Sequence, residues 1–282
     1  MDVHATPAYQ QHRPALTGVV LAAGAGRRLL PLSTLLPKAL CPVGNRALVD
    51  LALDRLAPLV DDLIVNAHHD VDLVVEHLDR MWSGRVAVSI EPDIALGTAG
   101  GIAHMRHLIN GRDVVVVNAD AWSHDSLAPL VDGWDGETVR VMVNGTGGFG
   151  STAQIVASTL PWSVVERLVD QPTGLYEAVW RHASASGELE VIAHEGAFID
   201  CGTPLDYLRA NLAAVDVHRG SIVADDAMVE AGATISQSVI GAGARIGGTV
   251  IDSVVWPGQA VEPGERLIRS IRAGTSVTVG PL

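Results

Sequence analysis

The sequence predicts an α/β protein with a doubly wound, mainly parallel sheet, followed by a short parallel β-helix. Two observations predict it. Apolar runs alternate with stretches of helical spacing over residues 18–120, and small aliphatic residues recur at every sixth position from about residue 221. With 282 residues, of which 48% are apolar and 18% charged, the chain is long enough for a large and a small domain. We therefore expect a tail over residues 1–15, a first domain over 16–218 and a β-helix over 219–282.

Four apolar runs in the first domain indicate buried strands, and the stretches between them indicate helices at about 46–60, 71–81 and 99–109. Such alternation places helices on both faces of a parallel sheet. Ligands of these sheets bind beyond the carboxyl ends of the strands, where the loop at Gly24 and Asp120 are both expected to emerge. The four runs are GVVLAAG (18–24), LIVNAH (63–68), VAVSIEP (86–92) and VVVVNAD (114–120).

The second domain is predicted by its six-residue period, which begins at about residue 221. In a parallel β-helix each such aliphatic residue points inward, and each coil buries its face only against its neighbours. The polar segment DVHRG, at residues 216–220, marks the boundary before it. The three series are Val223, Val229 and Ile235; Ile240 and Ile246; and Val255, Val261 and Leu267.

The end of this region predicts assembly. Residues after Leu267 remain rich in β-branched side chains, and no capping helix is indicated. Bare edges of a β-helix invite self-association, so we expect a homo-oligomer formed through the second domain. Truncation after His218 is then expected to give a monomer with an intact first domain.

Charge and composition argue against several classes of binding partner and several cellular locations. The formal net charge is −13, which argues against nucleic acid and anionic membrane as partners. Residues 1–46 nevertheless hold five basic side chains against one acidic, enough for a small polyanion. The opening residues lack a secretory hydrophobic stretch, no apolar run is long enough to span a membrane, and two cysteines are too few for a disulfide framework. We therefore expect a cytoplasmic protein.

The segment at residues 21–45, LAAGAGRRLLPLSTLLPKALCPVGN, carries the most chemical information. Gly24 and Gly26 allow a tight turn after the first strand, so that backbone N–H groups can face a phosphate, and basic side chains follow at Arg28 and Lys38. Lys38 is the one lysine among 19 basic residues, which hints at a contact that arginine could not make. The dinucleotide fingerprint and the P-loop both fail, because each needs a glycine where Leu29 stands.

These residues resemble the sugar-1-phosphate nucleotidyltransferases, also called NDP-sugar pyrophosphorylases. The family signature is close to L-A-[AG]-G-x-G-x-R-[LM]-x-P-L-[ST] followed by P-K, and residues 21–33 and Pro37-Lys38 match it. The resemblance extends over most of residues 17–270. It implies a Rossmann-like nucleotidyltransferase domain, and a terminal left-handed hexapeptide helix is common in the family. Further matching segments are IVNAHHD (64–70), EPDIALGTAGGI (91–102), VVNAD (116–120) and FIDCGTP (198–204).

The resemblance implies that an NTP and a sugar 1-phosphate react with Mg²⁺ as cofactor, releasing pyrophosphate by in-line transfer. It leaves the base and the sugar open. By position, Arg28, Lys38 and Asp120 would be catalytic, and Asp120 and Asp200 would share the Mg²⁺ ion. The nucleotide-binding residues would be Leu21, Ala22, Ala23, Gly24, Gly26, Arg28, Lys38, Gly97, Thr98 and Gly100.

One element of the family is missing, the E-K-P-like segment that supplies a lysine to the sugar phosphate. The triplet Asp170-Gln171-Pro172 is similar, but Gln171 is uncharged. Two other function classes therefore stay open beside an active transferase: a catalytically silent partner that binds a nucleotide sugar, and a β-helix acyltransferase. Pyrophosphate release separates the first from the transferase, and turnover of acyl-CoA would indicate the second.

Other chemistry-bearing residues form weaker patterns. His68, His69 and Asp70 could be metal ligands, but adjacent histidines point to different sides of a strand. A second pair, His104 and His107, lacks a third ligand, so surface or capping roles are favoured for all five. Cys41 and Cys201 lie within signature motifs, and we expect both to be buried thiols without a catalytic task.

Overall fold

Residues 15–91, 94–146 and 148–278 are described by a computed structural model, and a seven-stranded sheet forms the centre of the fold. The predicted tail, apart from Ala15, lies outside the described residues. In chain order the elements up to residue 218 are β1 (Leu16–Leu21), β2 (Pro42–Val43), β3 (Arg46–Ala47), α1 (Leu48–Leu56), β4 (Asp62–Ala67), α2 (Val71–Trp82), β5 (Val86–Ile90), α3 (Gly97–His104), α4 (Arg106–Ile109), β6 (Asp113–Asn118), β7 (Ala121–Trp122), α5 (Ala128–Val131), β8 (Val139–Asn144), β9 (Ile155–Leu160), α6 (Trp162–Val165), α7 (Arg181–Ser186), β10 (Leu189–His194), β11 (Ile199–Asp200) and α8 (Pro204–His218).

The central sheet is mainly parallel, as the sequence predicts, with the strand order β10-β8-β9-β6-β1-β4-β5. β1 pairs in parallel with β4 and β6, and β5 extends the sheet in parallel beyond β4. β9 runs antiparallel to both β6 and β8. The four predicted strands correspond to β1, β4, β5 and β6, so the prediction of their positions is confirmed.

Both faces of the sheet are buried at β1, β4 and β6, which explains why these strands are apolar without alternation. Successive side chains of β1 enter different cores, because a strand presents neighbouring residues to opposite faces. Val20 belongs to the cluster packed under α1 and α2, and Val19 belongs to the cluster packed under α3 and α7. The sheet therefore has a helical layer on each side.

The three predicted helical stretches are helical, with different ends. The first is α1, the second is α2, and the third is divided at Met105 into α3 and α4. Among the described residues no helix is both long and apolar enough to cross a membrane.

The chain after α8 forms short strands that stack in parallel in three small sheets. Each strand pairs with the strand that comes three later in the chain, giving the orders β12-β15-β18-β21, β13-β16-β19 and β14-β17-β20. The interior contains the buried side chains of Ile240, Ile246, Val255, Val261 and Leu267, as the six-residue period predicts. The strands are β12 (Ile222–Val223), β13 (Met228–Val229), β14 (Thr234–Ser236), β15 (Val239–Ile240), β16 (Arg245–Ile246), β17 (Thr249–Ile251), β18 (Val254–Val255), β19 (Ala260–Val261), β20 (Arg266–Ile268), β21 (Ser270–Ala273) and β22 (Thr275–Thr278).

Two residues of the predicted interior are exposed, so that part of the prediction is wrong. Val223 is 40% exposed and Val229 is 48% exposed. Their register is the predicted one, since Val223 pairs with the buried Ile240 and Val229 with the buried Ile246. They lie on the first strand of their sheets, where no preceding coil covers them. A periodic pattern predicts the direction of a side chain but not whether a neighbour is there to bury it.

The carboxyl end of the stack is covered differently from the expectation. β22 folds back antiparallel to β21, so the chain pairs the last strand of that sheet itself. In β21, Arg272 is the pairing partner of Val255 in β18. Its Nη1 atom donates to the Ala260 carbonyl oxygen at 2.8 Å, and its guanidinium forms an ion pair with Glu265. In that sheet β22, and not β21, is therefore the outer strand. Assembly through this region stays a prediction.

A third apolar cluster joins the stacked strands to the first part of the chain. Tyr207 of α8 is fully buried and donates its hydroxyl proton to the Pro42 carbonyl oxygen, and Trp256 Nε1 donates to the Tyr207 hydroxyl oxygen at 2.9 Å. Asn45 Nδ2 donates to the Ile240 carbonyl oxygen at 2.8 Å. The predicted boundary coincides with the end of α8 at His218, but the apolar core continues across it.

We expect Trp256→Ala to lower the free energy of unfolding by about 3–5 kcal/mol, because it leaves a cavity in this shared cluster and removes the hydrogen bond that the Tyr207 hydroxyl oxygen accepts. Chemical denaturation followed by circular dichroism measures the change. The control is Val223→Ala on the exposed first strand, which we expect to change stability by less than about 0.5 kcal/mol. Equal effects of the two substitutions would show that the cluster does not stabilise the chain.

Candidate active site

A cavity of about 720 Å³ opens where β1, β4 and β6 end, at the edge of the sheet that the sequence predicts for a ligand. Ten of the eleven predicted nucleotide-binding and catalytic residues line it, and Gly100 does not. Asp200 is also outside the lining, although it contacts two lining side chains. The predicted residues in the lining are Leu21, Ala22, Ala23, Gly24, Gly26, Arg28, Lys38, Gly97, Thr98 and Asp120.

The glycine loop follows β1 directly and forms one wall of the cavity. A Cβ atom at Gly24 would meet nothing within 4 Å, so that position faces open space. Gly26 has a φ of 60°, in the left-handed region that glycine adopts without strain, and its carbonyl oxygen accepts a hydrogen bond from Ser33 Oγ at 2.9 Å. A single 3₁₀ turn, Arg27–Leu29, follows at once. The loop is thus held from behind while its front stays accessible.

Lys38 lies on the cavity floor and is only 8% exposed. It begins a 3₁₀ turn, Lys38–Leu40, that immediately precedes β2. Its Nζ atom donates to Asp120 Oδ2 at 3.0 Å and to Asp200 Oδ1 at 3.3 Å. An ammonium group this deeply buried requires partners of opposite charge, and the two carboxylates provide them.

The two aspartates come together through a small antiparallel pair of strands. β11 pairs with β7 so that Asp200 is opposite Ala121, the residue after Asp120, and the Cys201 N–H donates to the Asp120 carbonyl oxygen at 2.9 Å. Both side chains are partly exposed, and Asp120 lines the cavity. Carboxylate oxygens are the ligands that Mg²⁺ prefers, and it commonly takes one or two of them with phosphate and water oxygens. The donor set at Asp120 and Asp200 therefore fits the expected ion.

Arg28 lies at the entrance, and its side chain is 71% exposed, far more than that of Lys38. Its Nη2 atom is 3.4 Å from Asp200 Oδ2, at the long end of a hydrogen bond. A Cβ atom at position 202 would lie 2.9 Å from that guanidinium, so Gly202 leaves room for it. An exposed pair of this kind contributes little to stability, which leaves Arg28 available for an anionic ligand.

A network of buried hydrogen bonds lies beneath the cavity, and the sequence analysis did not predict it. The Ala22 N–H donates to Asn66 Oδ1 at 2.6 Å, Asn66 Nδ2 donates to Glu91 Oε1 at 2.6 Å, and the Leu96 N–H donates to Glu91 Oε2 at 2.8 Å. Asn66 and Glu91 are both almost fully buried. Asn66 lies in β4 and Glu91 lies just after β5. The hydrogen-bond network therefore connects the glycine loop to the start of α3. The available signal was a polar residue at the end of each apolar run.

We expect Glu91→Gln to raise KM for the nucleotide about tenfold with a smaller change in kcat, because one of the two N–H donors loses its acceptor and the cavity walls shift. Steady-state kinetics at saturating second substrate measure the two constants separately. The control is Glu166→Gln, at an exposed carboxylate after α6. A fall in kcat with unchanged KM would place Glu91 in the chemical step instead of behind the binding loops.

The helix that follows, α3, is covered at its start by residues 171–173. A Cβ atom at Gly100 would overlap the Gln171 carbonyl oxygen, and Gly97, with a φ of 68°, lies against Thr173. The Ala99 N–H donates to the Thr173 carbonyl oxygen at 2.9 Å. Gly97 and Thr98 line the cavity, whereas Gly100 allows this close approach of the backbone. A nucleotide contact at Gly100 stays a prediction.

The weaker candidates are separated in space. His68 and His69 line the cavity with their rings 4.6 Å apart, while His104 Nδ1 is 2.9 Å from Asp170 Oδ2 outside it. Within the described ranges, no three or more histidine, cysteine or acidic side chains are grouped as metal ligands would be. Cys41 and Cys201 are buried, as expected. Burial raises the pKa of the Cys41 thiol to about 12 and also raises the pKa of Cys201, which keeps both thiols protonated and unreactive.

The chain is similar in sequence and in fold to several known proteins. Residues 17–145 match the Nucleotidyl transferase family. The N-acetylmuramate alpha-1-phosphate uridylyltransferase of Caulobacter vibrioides is 33% identical over 231 residues, which cover 70% of this chain and 94% of that protein. The mannose-1-phosphate guanylyltransferase of Mycobacterium tuberculosis is 29% identical over 294 residues, covering 87% of this chain and 81% of that protein. A Bacillus anthracis protein crystallised with sucrose has the same fold, with a TM-score of 0.61, 18% identity, and coverage of 72% of this chain and 96% of that chain.

Proposed function

Because the chain belongs to the sugar-1-phosphate nucleotidyltransferase family, we propose that it converts an NTP and a sugar 1-phosphate to an NDP-sugar and pyrophosphate. A phosphate oxygen of the sugar 1-phosphate attacks the α-phosphorus, and the bond from that phosphorus to the bridging oxygen of pyrophosphate breaks. One observation carries the proposal: a buried Lys38 holds Asp120 and Asp200 together on the floor of a cavity walled by a glycine loop.

The residues of the chain supply binding and alignment, since this transfer needs no covalent nucleophile. Backbone N–H groups of the glycine loop would face the triphosphate, and Arg28 at the entrance would add a second set of donors. Lys38 would contact phosphate oxygens from below. The backbone at Leu21 to Ala23 and the start of α3 at Gly97 and Thr98 would hold the base and ribose.

We propose that Asp120 and Asp200 hold Mg²⁺ in the working enzyme, since both carboxylates are partly exposed and contact the same Lys38 Nζ atom. When bound there, the ion would neutralise triphosphate charge and stabilise the leaving pyrophosphate. Lys38 touches both carboxylates, so it would keep them in place and limit their repulsion before the substrates bind.

We further propose that residues 219–282, of which 219–278 are described, form a left-handed parallel β-helix that supports assembly. The repeated pairing of every third strand supports the helix. The exposed Val223, Met228 and Val229 at the uncovered first coil support a role in self-association. Light scattering of the full chain tests this role, and a monomer at micromolar concentration would contradict it.

The function is tested by a screen of NTPs against sugar 1-phosphates with Mg²⁺, using released pyrophosphate as the signal. Both the NTP and the sugar 1-phosphate must be varied, because the two named relatives differ in the base and in the sugar. We expect one pair to give turnover that chelation of Mg²⁺ abolishes. Tight nucleotide-sugar binding without pyrophosphate across the whole screen would instead indicate a catalytically silent partner.

A further inference from the structure

The loop between α6 and a π-helical turn, Tyr176–Trp180, folds onto α3. It contains Asp170-Gln171-Pro172, the triplet that stands in this sequence where the family has a lysine-bearing segment. We call residues 170–174 the strap. None of these five residues, all of which the structure describes, lines the cavity. The strap therefore acts on the cavity through the helix on which it lies.

The backbone of the strap is hydrogen-bonded to the first turn of α3 in both directions. The Thr173 N–H donates to the Leu96 carbonyl oxygen at 3.0 Å, and the Thr173 carbonyl oxygen accepts from the Ala99 N–H at 2.9 Å. A Cβ atom at Gly97 would lie 2.8 Å from that same carbonyl oxygen, so the two backbones touch. The first turn of the helix is thus held against the strap without an intervening side chain.

Two residues of the cavity wall are fixed in this way. Gly97 and Thr98 both line the cavity. Thr98 Oγ1 accepts from the N–H of Leu175, the residue that follows the strap, at 2.7 Å. Leu175 is buried in the core beside α3, which fixes the inner end of the strap. A shift of the strap would therefore move the cavity wall at Gly97 and Thr98.

The outer end of the strap is held by His104, the last residue of α3. His104 Nδ1 is 2.9 Å from Asp170 Oδ2, and His104 Nε2 is 3.2 Å from the Ile90 carbonyl oxygen at the end of β5. Both neighbours are acceptors. A neutral imidazole has one N–H and satisfies one of them, whereas the protonated ring satisfies both. The histidine thus joins the strap, α3 and the sheet at one point.

From these contacts we propose that His104 and Asp170 are positioning residues that hold the strap, and through it the nucleotide-binding wall at Gly97 and Thr98. The inference rests on the proposed function, which assigns the start of α3 to the base and ribose. His104 is seven residues after Gly97, about 10 Å along the helix axis, so the pair acts without touching the nucleotide. Without the pair, the bound nucleotide must order the strap itself, which weakens its affinity.

The test is a double-mutant cycle read by nucleotide affinity. Calorimetric titration with UTP and with GTP, in the presence of Mg²⁺ and without a sugar phosphate, measures binding without turnover. The nucleotide that the parent protein binds more tightly is then used for the variants. We expect His104→Ala and Asp170→Ala each to weaken its binding about three- to tenfold. The double variant should agree with either single variant to within about twofold, because both substitutions remove one shared contact.

His107→Ala is the matched control, since this exposed histidine lies one turn further along and its Nδ1 atom is 3.3 Å from the His104 carbonyl oxygen. We expect it to change the affinity less than about twofold.

Hydrogen exchange separates positioning from general stability. In His104→Ala, the amides of residues 97–103 and 171–176 should exchange faster, while the midpoint of thermal unfolding changes by less than about 2 °C, because both side chains are partly exposed. Unchanged affinity, additive effects of the two substitutions, or faster exchange across the whole chain would overturn the inference. Binding of neither nucleotide to the parent would overturn it together with the proposed function. Absence of pyrophosphate release from every NTP and sugar 1-phosphate, with the dependence on His104 and Asp170 intact, would overturn the proposed function alone.

Discussion

Asp120→Asn and Asp200→Asn are each expected to lower kcat by on the order of 10² or more, with the fold intact, because each removes a negative charge from the shell proposed for Mg²⁺. The structure explains why folding should survive. Lys38 Nζ bridges the two carboxylates, so either single change leaves the buried ammonium one charged partner. Pyrophosphate release at saturating substrates measures kcat, and thermal unfolding monitors the fold.

Asp54→Asn provides the control for these variants. Asp54 is a partly exposed carboxylate on α1 whose partner is Arg46, at 2.6 Å. Its loss removes the same charge from the chain without touching the cavity, so the rate should change less than about twofold. Near-normal rates for Asp120→Asn or Asp200→Asn would remove that residue from the metal site. Raised Mg²⁺ concentration should partly restore activity if weakened ion binding causes the loss.

Lys38→Arg is expected to lower kcat/KM by about tenfold or more, which corresponds to roughly 1.4 kcal/mol of transition-state stabilisation. The lysine is buried, and a Cβ atom at Gly26 would lie 3.1 Å from Lys38 Cβ, so the glycine loop packs directly on its stem. A guanidinium is broader and aims its donors in one plane, so it does not fit the buried space that the compact ammonium occupies between the two carboxylates. The same initial-rate assay measures the change.

The reverse substitution, Arg46→Lys, is the matched control for this variant. Arg46 is about half exposed and pairs with Asp54, so exchange of its cation type should leave kcat/KM within about twofold of the parent. Retention of more than about half of kcat/KM by Lys38→Arg would show that the single lysine reflects composition and not a requirement of the site.

The sequence by itself determined the strands at the centre of the fold and the position of the ligand edge. β1, β4 and β6 are apolar runs buried on both faces, as such runs favour, whereas β5 is an apolar run at the edge of the sheet and is partly exposed. Strand and helix alternation then requires parallel pairing, which brings the ends of β1 and β6 side by side. The glycine loop and Asp120 followed from local spacing, because each lies directly after a predicted strand.

Contacts between distant parts of the chain were decided only by the tertiary structure. Asn66 and Glu91 look ordinary in sequence, and their joint burial depends on how β4, β5 and α3 meet. Asp120 and Asp200 are far apart in sequence and come together only when β7 pairs with β11. Sequence period and composition indicate which way a side chain points from its own backbone. They do not indicate which residues pack against that side chain.

The same limit explains the two ends of the stacked strands. Val223 has the spacing of an interior residue and is exposed, since burial needs a preceding coil that the chain does not provide. Trp256 has no periodic signal and is buried, because Tyr207 of α8 lies against it. Local propensity and period act over a few residues, so they determine elements; burial is a property of the assembled neighbours, and only the fold determines it.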